Sequence, residues 1–115
     1  MSRERIRDMF EAVDARDWAA MLRCYVPDCA YERPGFPRIE GATALLQFYA
    51  DVRPIAAGRH DVELVLQDGD DLCATGVFEG RLRNGEPIRL QFADLYRLKD
   101  GLIAARKTFF YAPLA

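Results

Sequence analysis

Apolar positions recur every three or four residues in the first half of the chain and every two in the second, so helices are followed by strands. Ile6, Met9, Phe10 and Val13 share one face of a helix over 3–15, with charges opposite. Asp17 suits the N-cap of a second helix carrying Trp18, Met21, Leu22 and Tyr25, which Pro27-Asp28 stops. Residues 29–33 read as a short strand, and Pro34-Gly35-Phe36-Pro37 as a stiff loop that neither a helix nor a central strand accommodates. Gly41 opens a third helix to about Val52, with Leu45, Leu46, Phe48, Tyr49 and Val52 as a broad apolar face, before Pro54 closes it.

From Arg59 the period is two: Val62, Leu64 and Leu66 alternate with Glu63, Val65 and Gln67. Turn signals at 68–71, Asn84-Gly85 and Asp100-Gly101 divide the remainder into four strands joined as a meander. The last two form a long hairpin from Pro87 to Tyr111. Helices first and a meander afterwards predict an α+β domain, with three N-terminal helices covering one face of a curved antiparallel sheet.

That hairpin puts a carboxylate in an apolar row. Leu90, Phe92, Asp94, Tyr96 and Leu98 share one side, while Gln91, Ala93, Leu95 and Arg97 share the other. A carboxylate taken out of water without a partner is costly, and folding about Asp100-Gly101 brings Arg106 roughly opposite Asp94. Two readings compete: a structural ion pair, or an acid held in a pocket. Leu95 and Phe109 point away from this row, joined by Phe78 on the neighbouring strand. An exposed apolar sheet face of this kind marks a subunit interface, so a homodimer packed sheet to sheet is expected.

Composition narrows the possible functions. With 115 residues, 50% of them hydrophobic, the chain has material for a single domain, 1–115, with a real core. The 16 basic and 18 acidic residues are scattered and the net charge is -2, which leaves no electrostatic footprint for nucleic acid. No long apolar run predicts a membrane span, and the charged start of the chain is unlike a signal peptide; the expectation is a soluble cytoplasmic protein. Cys24, Cys29 and Cys73 are odd in number and lack metal-ligand spacing, and His60 is the single histidine, so neither a disulfide framework nor a metal centre is expected. They read as reduced apolar residues, with a Cys nucleophile paired with His60 as the alternative; His60 itself, between Arg59 and Asp61, reads as a solvated edge. No phosphate-binding glycine loop occurs, and no cofactor is expected.

The order of these elements resembles the nuclear transport factor 2 superfamily, in its SnoaL-like and ketosteroid-isomerase-like branch. Ala15-Arg16-Asp17-Trp18, Tyr25-Val26-Pro27-Asp28 leading into Ala30-Tyr31-Glu32-Arg33-Pro34, Gly41 with Phe48-Tyr49, Phe92-Ala93-Asp94-Leu95-Tyr96-Arg97 and the closing aromatic strand carry the resemblance. It implies a cone whose sheet and helices enclose a deep apolar pocket for steroids, polyketides or other hydrophobic small molecules. In ketosteroid isomerase a carboxylate base moves the proton while a Tyr and a protonated Asp stabilise the oxyanion. Asp94 matches the protonated Asp, but Arg33 stands at the base position and Met9 near that of the Tyr, so that mechanism is not expected. The acid that cyclase and epoxide-hydrolase relatives carry on the last strand is missing from Arg106-Lys107-Thr108-Phe109.

On the strand before the hairpin, the family comparison turns Val77, Glu79 and Arg81 inward, whereas hydrophobicity turns Phe78, Gly80 and Leu82 inward. Following the family, Glu79, Arg81, Asp94 and Arg106 would face the cavity, with Arg33 at the rim and Tyr31, Phe48, Tyr96 and Phe110 as walls. Such a set admits a compensated salt-bridge network or a grip on a carbonyl or carboxylate. Three functions follow. One is a cofactor-free isomerase, cyclase or dehydratase of a small hydrophobic carbonyl compound, in which Asp94 shuttles the proton, Tyr96 or Glu79 assists and arginines stabilise an enolate. Another is a non-catalytic binding or dimeric accessory module. The third is an epoxide hydrolase using Glu79 and Arg81.

Overall fold

The computed structural model describes residues 2–112; the outermost positions of the expected 1–115 domain lie outside that range. Helix α1 (Ser2–Asp14) buries Ile6, Met9, Phe10 and Val13, the positions the helical period selects. Helix α2 (Trp18–Leu22) begins at Asp17, whose carboxylate accepts the Ala20 N–H at 3.1 Å. It ends a turn earlier than its apolar spacing implies, because Tyr25 already belongs to strand β1 (Tyr25–Glu32). Pro27 explains this: the residue before a proline is driven to extended backbone. The β1 pairing also shifts register between Tyr25 and Ala30, where Pro27 has no N–H to give.

A two-residue strand, β2 (Ile39–Glu40), pairs antiparallel with β1. Helix α3 (Ala42–Gln47) then passes into one π-helical turn (Phe48–Val52), closed by Arg53 N–H donating to Phe48 O at 2.7 Å. The wider turn leaves Phe48 and Tyr49 in the core and Val52, expected on the apolar face, exposed. No helix among the described residues is long and apolar enough to cross a membrane.

Strands β3 (Ile55–Asp68), β4 (Asp71–Leu82), β5 (Pro87–Lys99) and β6 (Leu102–Phe110) are the expected meander, and the six strands lie in the order β2-β1-β6-β5-β4-β3. The sheet departs from the antiparallel expectation in one place, since β1 runs parallel to β6. α1 and α3 cover its inner face and the core lies between.

The β4–β5 ladder is uninterrupted from Asp71 opposite Arg97 to Arg81 opposite Pro87. Alternation is therefore strict, and hydrophobicity decides the faces. Leu72, Ala74 and Phe78 are buried, whereas Glu79 and Arg81, expected inward, are exposed. Phe78, expected on the outer face, is 2% exposed. Gly80 marks no bulge; it lies opposite Gly58, where a Cβ would collide with the Phe78 ring, so the glycine makes room for that ring. On β3 the register does shift, between Val62 and Leu64, and the extra residue turns Val65 inward and Leu64 and Leu66 outward.

Candidate active site in the cone

Asp94 is fully buried; its Oδ2 accepts two hydrogen bonds, from Tyr96 O–H at 2.6 Å and Arg106 Nε at 3.0 Å, and forms an ion pair with Arg106 Nη2 at 2.9 Å. The residue directly opposite Asp94 is Thr108, so the Arg106 guanidinium arrives diagonally from its position opposite Tyr96. Arg106 Nη1 donates to Tyr49 Oη at 2.8 Å and Tyr25 Oη at 3.2 Å, and the guanidinium lies 4.4 Å from the centre of the Tyr31 ring. Burial pushes the guanidinium down most strongly, but the Asp94 carboxylate and the phenols around it leave Arg106 well above its ordinary value. Asp94 is therefore the counter-ion of Arg106 and a hydrogen-bond acceptor. Its second oxygen, Oδ1, has no partner.

The phenols respond according to their neighbours. Burial pushes Tyr31 up to about 12, and its hydroxyl shares a 2.7 Å hydrogen bond with Thr108 Oγ1. Tyr96 is raised well above its ordinary value by burial and then by the adjacent Asp94 charge. Tyr49 is the exception: burial acts to raise it, but Arg106, Arg53 and Arg33 together outweigh that and lower it.

In front of Asp94 lies a narrow pocket, lined by Tyr31, Arg33, Arg53, Ile55, His60, Phe78, Leu90, Phe92, Arg106, Thr108 and Phe110. The free cavity inside it is about 20 Å3, room for a single water molecule. At its upper wall His60 meets α1. Asp14 Oδ1 lies 2.6 Å from His60 Nδ1, and Asp14 Oδ2 accepts the His60 backbone N–H at 2.7 Å. With a carboxylate facing Nδ1, the proton of a neutral ring belongs there and the lone pair belongs on Nε2. The ring is held between Phe10 and Phe78, at centroid distances of 4.5 and 4.6 Å. Burial, only partly offset by Asp14, lowers the His60 value below its usual 6.5. A neutral imidazole fixed by a carboxylate is a general base.

Two further arginines reach the same space. Arg53, 4% exposed at the end of the π-helical turn, stacks over the Tyr49 and Phe78 rings at 5.1 and 5.6 Å. Arg33 is half-buried at the mouth among Phe36, Phe48 and Phe110. Neither has a carboxylate partner among the described residues, and the Nε of each is buried without an acceptor. No group of three or more His, Cys, Asp or Glu among the described residues could hold a metal ion.

Residues 6–106 match the SnoaL-like domain family. The chain belongs to that family. No curated protein matches its sequence, but its fold is shared with solved structures. It superposes on a nuclear transport factor 2-like protein of unknown function from Burkholderia pseudomallei K96243 with a TM-score of 0.87 at 20% identity, covering 96% of this chain and 90% of that one. A candidate polyketide cyclase from Xanthomonas campestris pv. campestris gives 0.86 at 21% identity, covering 96% and 90%. TerC, co-crystallised with polyporic acid, gives 0.86 at 20% identity, covering 96% and 91%. The SnoaL-like domain thus has the nuclear transport factor 2-like fold, a curved sheet closed by helices.

Within it, the structure brings together Tyr31, Arg33, Asp94, Arg106 and Phe110 at the pocket. Tyr96 supports Asp94, and Phe48 stands behind Arg33 and edge-on to Tyr31. Glu79 and Arg81 do not belong: Glu79 faces Arg89 at 3.4 Å on the outer surface, and Arg81 donates to Gly85 O at 3.0 Å. An epoxide hydrolase built on that pair has no water to position in the pocket, and Glu79 cannot assist Asp94. His60 is no solvated edge, and its Nδ1 partner is Asp14 and not a cysteine; burial raises the Cys24 and Cys29 thiols. His60, Asp14 and Arg53 are the residues that sequence reasoning missed. Asp14 carried a signal, since it lies four positions after Phe10 and so on the buried face of α1.

Proposed function

We propose that the SnoaL-like domain catalyses a cofactor-free proton transfer on a small hydrophobic carbonyl compound, as an isomerase, cyclase or dehydratase, with His60 as the base. The observation that carries this reading is the His60–Asp14 pair, which leaves Nε2 as the basic nitrogen of a ring that lines the same pocket as Asp94 with its unpartnered Oδ1. His60 would take a proton from the carbon beside the carbonyl, and the arginines would stabilise the enolate oxygen. Asp94 would orient a substrate hydroxyl through Oδ1. That replaces the proton-shuttling role expected of it, because Oδ2 is already engaged by Tyr96 and Arg106. The candidate cyclase and TerC among the structural neighbours support small cyclic carbonyl compounds as the class to test.

The assay is solvent deuterium exchange at the α-carbon of a panel of cyclic ketones and β-diketones, followed by NMR. Loss of a general base typically costs about 100-fold to 10,000-fold, so His60→Gln should reduce exchange by that factor. Equal exchange in both proteins would place the base elsewhere. Absence of exchange across the panel would favour a non-catalytic binding or accessory module, which the narrow free interior of the pocket also supports.

The reading includes a homodimer packed through the outer sheet face and a cytoplasmic setting in which the three thiols stay reduced. Leu64 stands in register with Thr75, Ala93 and Phe109, and Leu66 with Cys73 and Leu95. Leu64, Leu66, Leu95 and Phe109 are 44–57% exposed there. Leu95→Glu should convert a dimer to a monomer in sedimentation; a wild-type monomer at micromolar concentration removes this part.

A further inference from the structure

The charges in the pocket do not balance. Arg106 is matched by Asp94, and Asp14 is the acceptor of a neutral His60, but Arg53 and Arg33 face the same cavity with no carboxylate paired to either among the described residues. Aromatic rings lie 5.4 Å from the Arg33 and 5.1 Å from the Arg53 guanidinium carbon, and the Nε of each is buried with no acceptor. A buried charge without a partner is costly, and a guanidinium is shaped to receive two oxygens of a carboxylate side by side. The pocket also holds the complementary deficit, an unpartnered carboxylate oxygen on a fully buried Asp94. Ile55, Phe78, Leu90 and Phe92 supply apolar lining to the same pocket.

We infer that the ligand of this pocket is a one-ring hydroxy acid or its keto-acid counterpart, its carboxylate held by Arg53 and Arg33 and its hydroxyl donated to Asp94 Oδ1. The ligand must be small, because the free space between these side chains is about that of a single water and a ring enters only as they move apart. Arg33 at the mouth, packed on Phe36 and Phe110, is the side chain whose rotation admits it. This assignment rests on the proton-transfer reading above and deepens it by naming its substrate class.

The test is binding, which does not require turnover. Isothermal titration would compare 3-hydroxybenzoate with 3-hydroxybenzyl alcohol, the neutral isostere, and with 3-methoxybenzoate, which cannot donate to Asp94. The acid should bind about tenfold to 100-fold more tightly than the alcohol, the usual range for hydrogen bonds to a charged group, and the methoxy compound should lose about tenfold. Arg53→Met should bring acid and alcohol within about twofold of each other, with its unliganded melting temperature unchanged or raised, an outcome a purely structural arginine would not give. Arg33→Met, at the mouth, is the second variant should Arg53→Met fail to fold. His60→Gln should keep the preference for the acid, so a failed exchange assay with intact binding would sink the catalytic reading alone. Equal binding of acid and alcohol by the wild type, no binding of either, or a preference that survives removal of either arginine would overturn the assignment.

Discussion

Asp94→Ala should be among the most destabilising single substitutions in this protein, and the structure sets its size. Asp94 is 0% and Arg106 4% exposed at the side chain, so neither ion retains water. Removing the carboxylate leaves a buried guanidinium without a counter-ion and the Tyr96 hydroxyl without its 2.6 Å acceptor. Breaking a buried pair in this way costs about 3–5 kcal/mol. At this length about 4 °C of melting temperature accompanies each kcal/mol, so the loss should be about 12–20 °C. Urea denaturation followed by circular dichroism would measure it as a fall in the midpoint at constant slope. Asp94→Asn, which keeps an acceptor and loses the charge, should lie between wild type and alanine. Replacing both partners by Leu and Met should recover most of the loss, because an apolar pair of similar volume owes no desolvation. An Asp94→Ala midpoint within about 1 kcal/mol of wild type would refute the buried pair. The substitution is therefore a poor probe of catalysis here, and His60 and Arg53 are better ones.

Stability should also depend on pH through His60. Its folded value lies below the unfolded 6.5, so below that pH the unfolded chain binds a proton that the folded one does not. Stability should fall as pH drops through 6.5 toward the folded value and be flat above it, and His60→Gln should remove that slope in urea midpoints measured from pH 5 to 8. The activity carried by neutral His60 should likewise persist below pH 6.5, with an acid limb beneath it; a limb above 6.5 would contradict the burial. Tyr31→Phe should cost about 1–3 kcal/mol in the same melts by stranding Thr108 Oγ1, and Tyr31→Phe with Thr108→Val should cost less than either single change.

Much of this architecture is legible from period alone. The apolar spacing of α1 and the strand lengths of the meander follow from burial of one face, and Asp94 is visible because it interrupts an apolar row. What was hidden has local causes. The extra residue in β3 between Val62 and Leu64 reverses the facing of every later side chain on that strand without altering its composition. His60 reads as exposed between two charges until β3 and β4 are paired and α1 brings Asp14 to it. Glu79 and Arg81 were misassigned because family parity was preferred to hydrophobicity, and the unbroken β4–β5 ladder shows that burial of Phe78 is the stronger constraint. Arg53 had no signal beyond its place before Pro54.

The parallel contact between β1 and β6 governs how the molecule must be made. Tyr31 stands opposite Arg106, and its hydroxyl meets Thr108, 77 positions along the chain. The wall of the pocket that Tyr31 contributes therefore waits for the last strand. Pairings this distant close slowly, because loop-closure entropy is lost before contacts return it. On the ribosome the helices emerge first with their apolar faces uncovered, and β6 completes both the sheet and the cavity in one event. Hydrogen-exchange protection of the Ala93 and Leu95 amides, which face β6, should accordingly appear late in refolding.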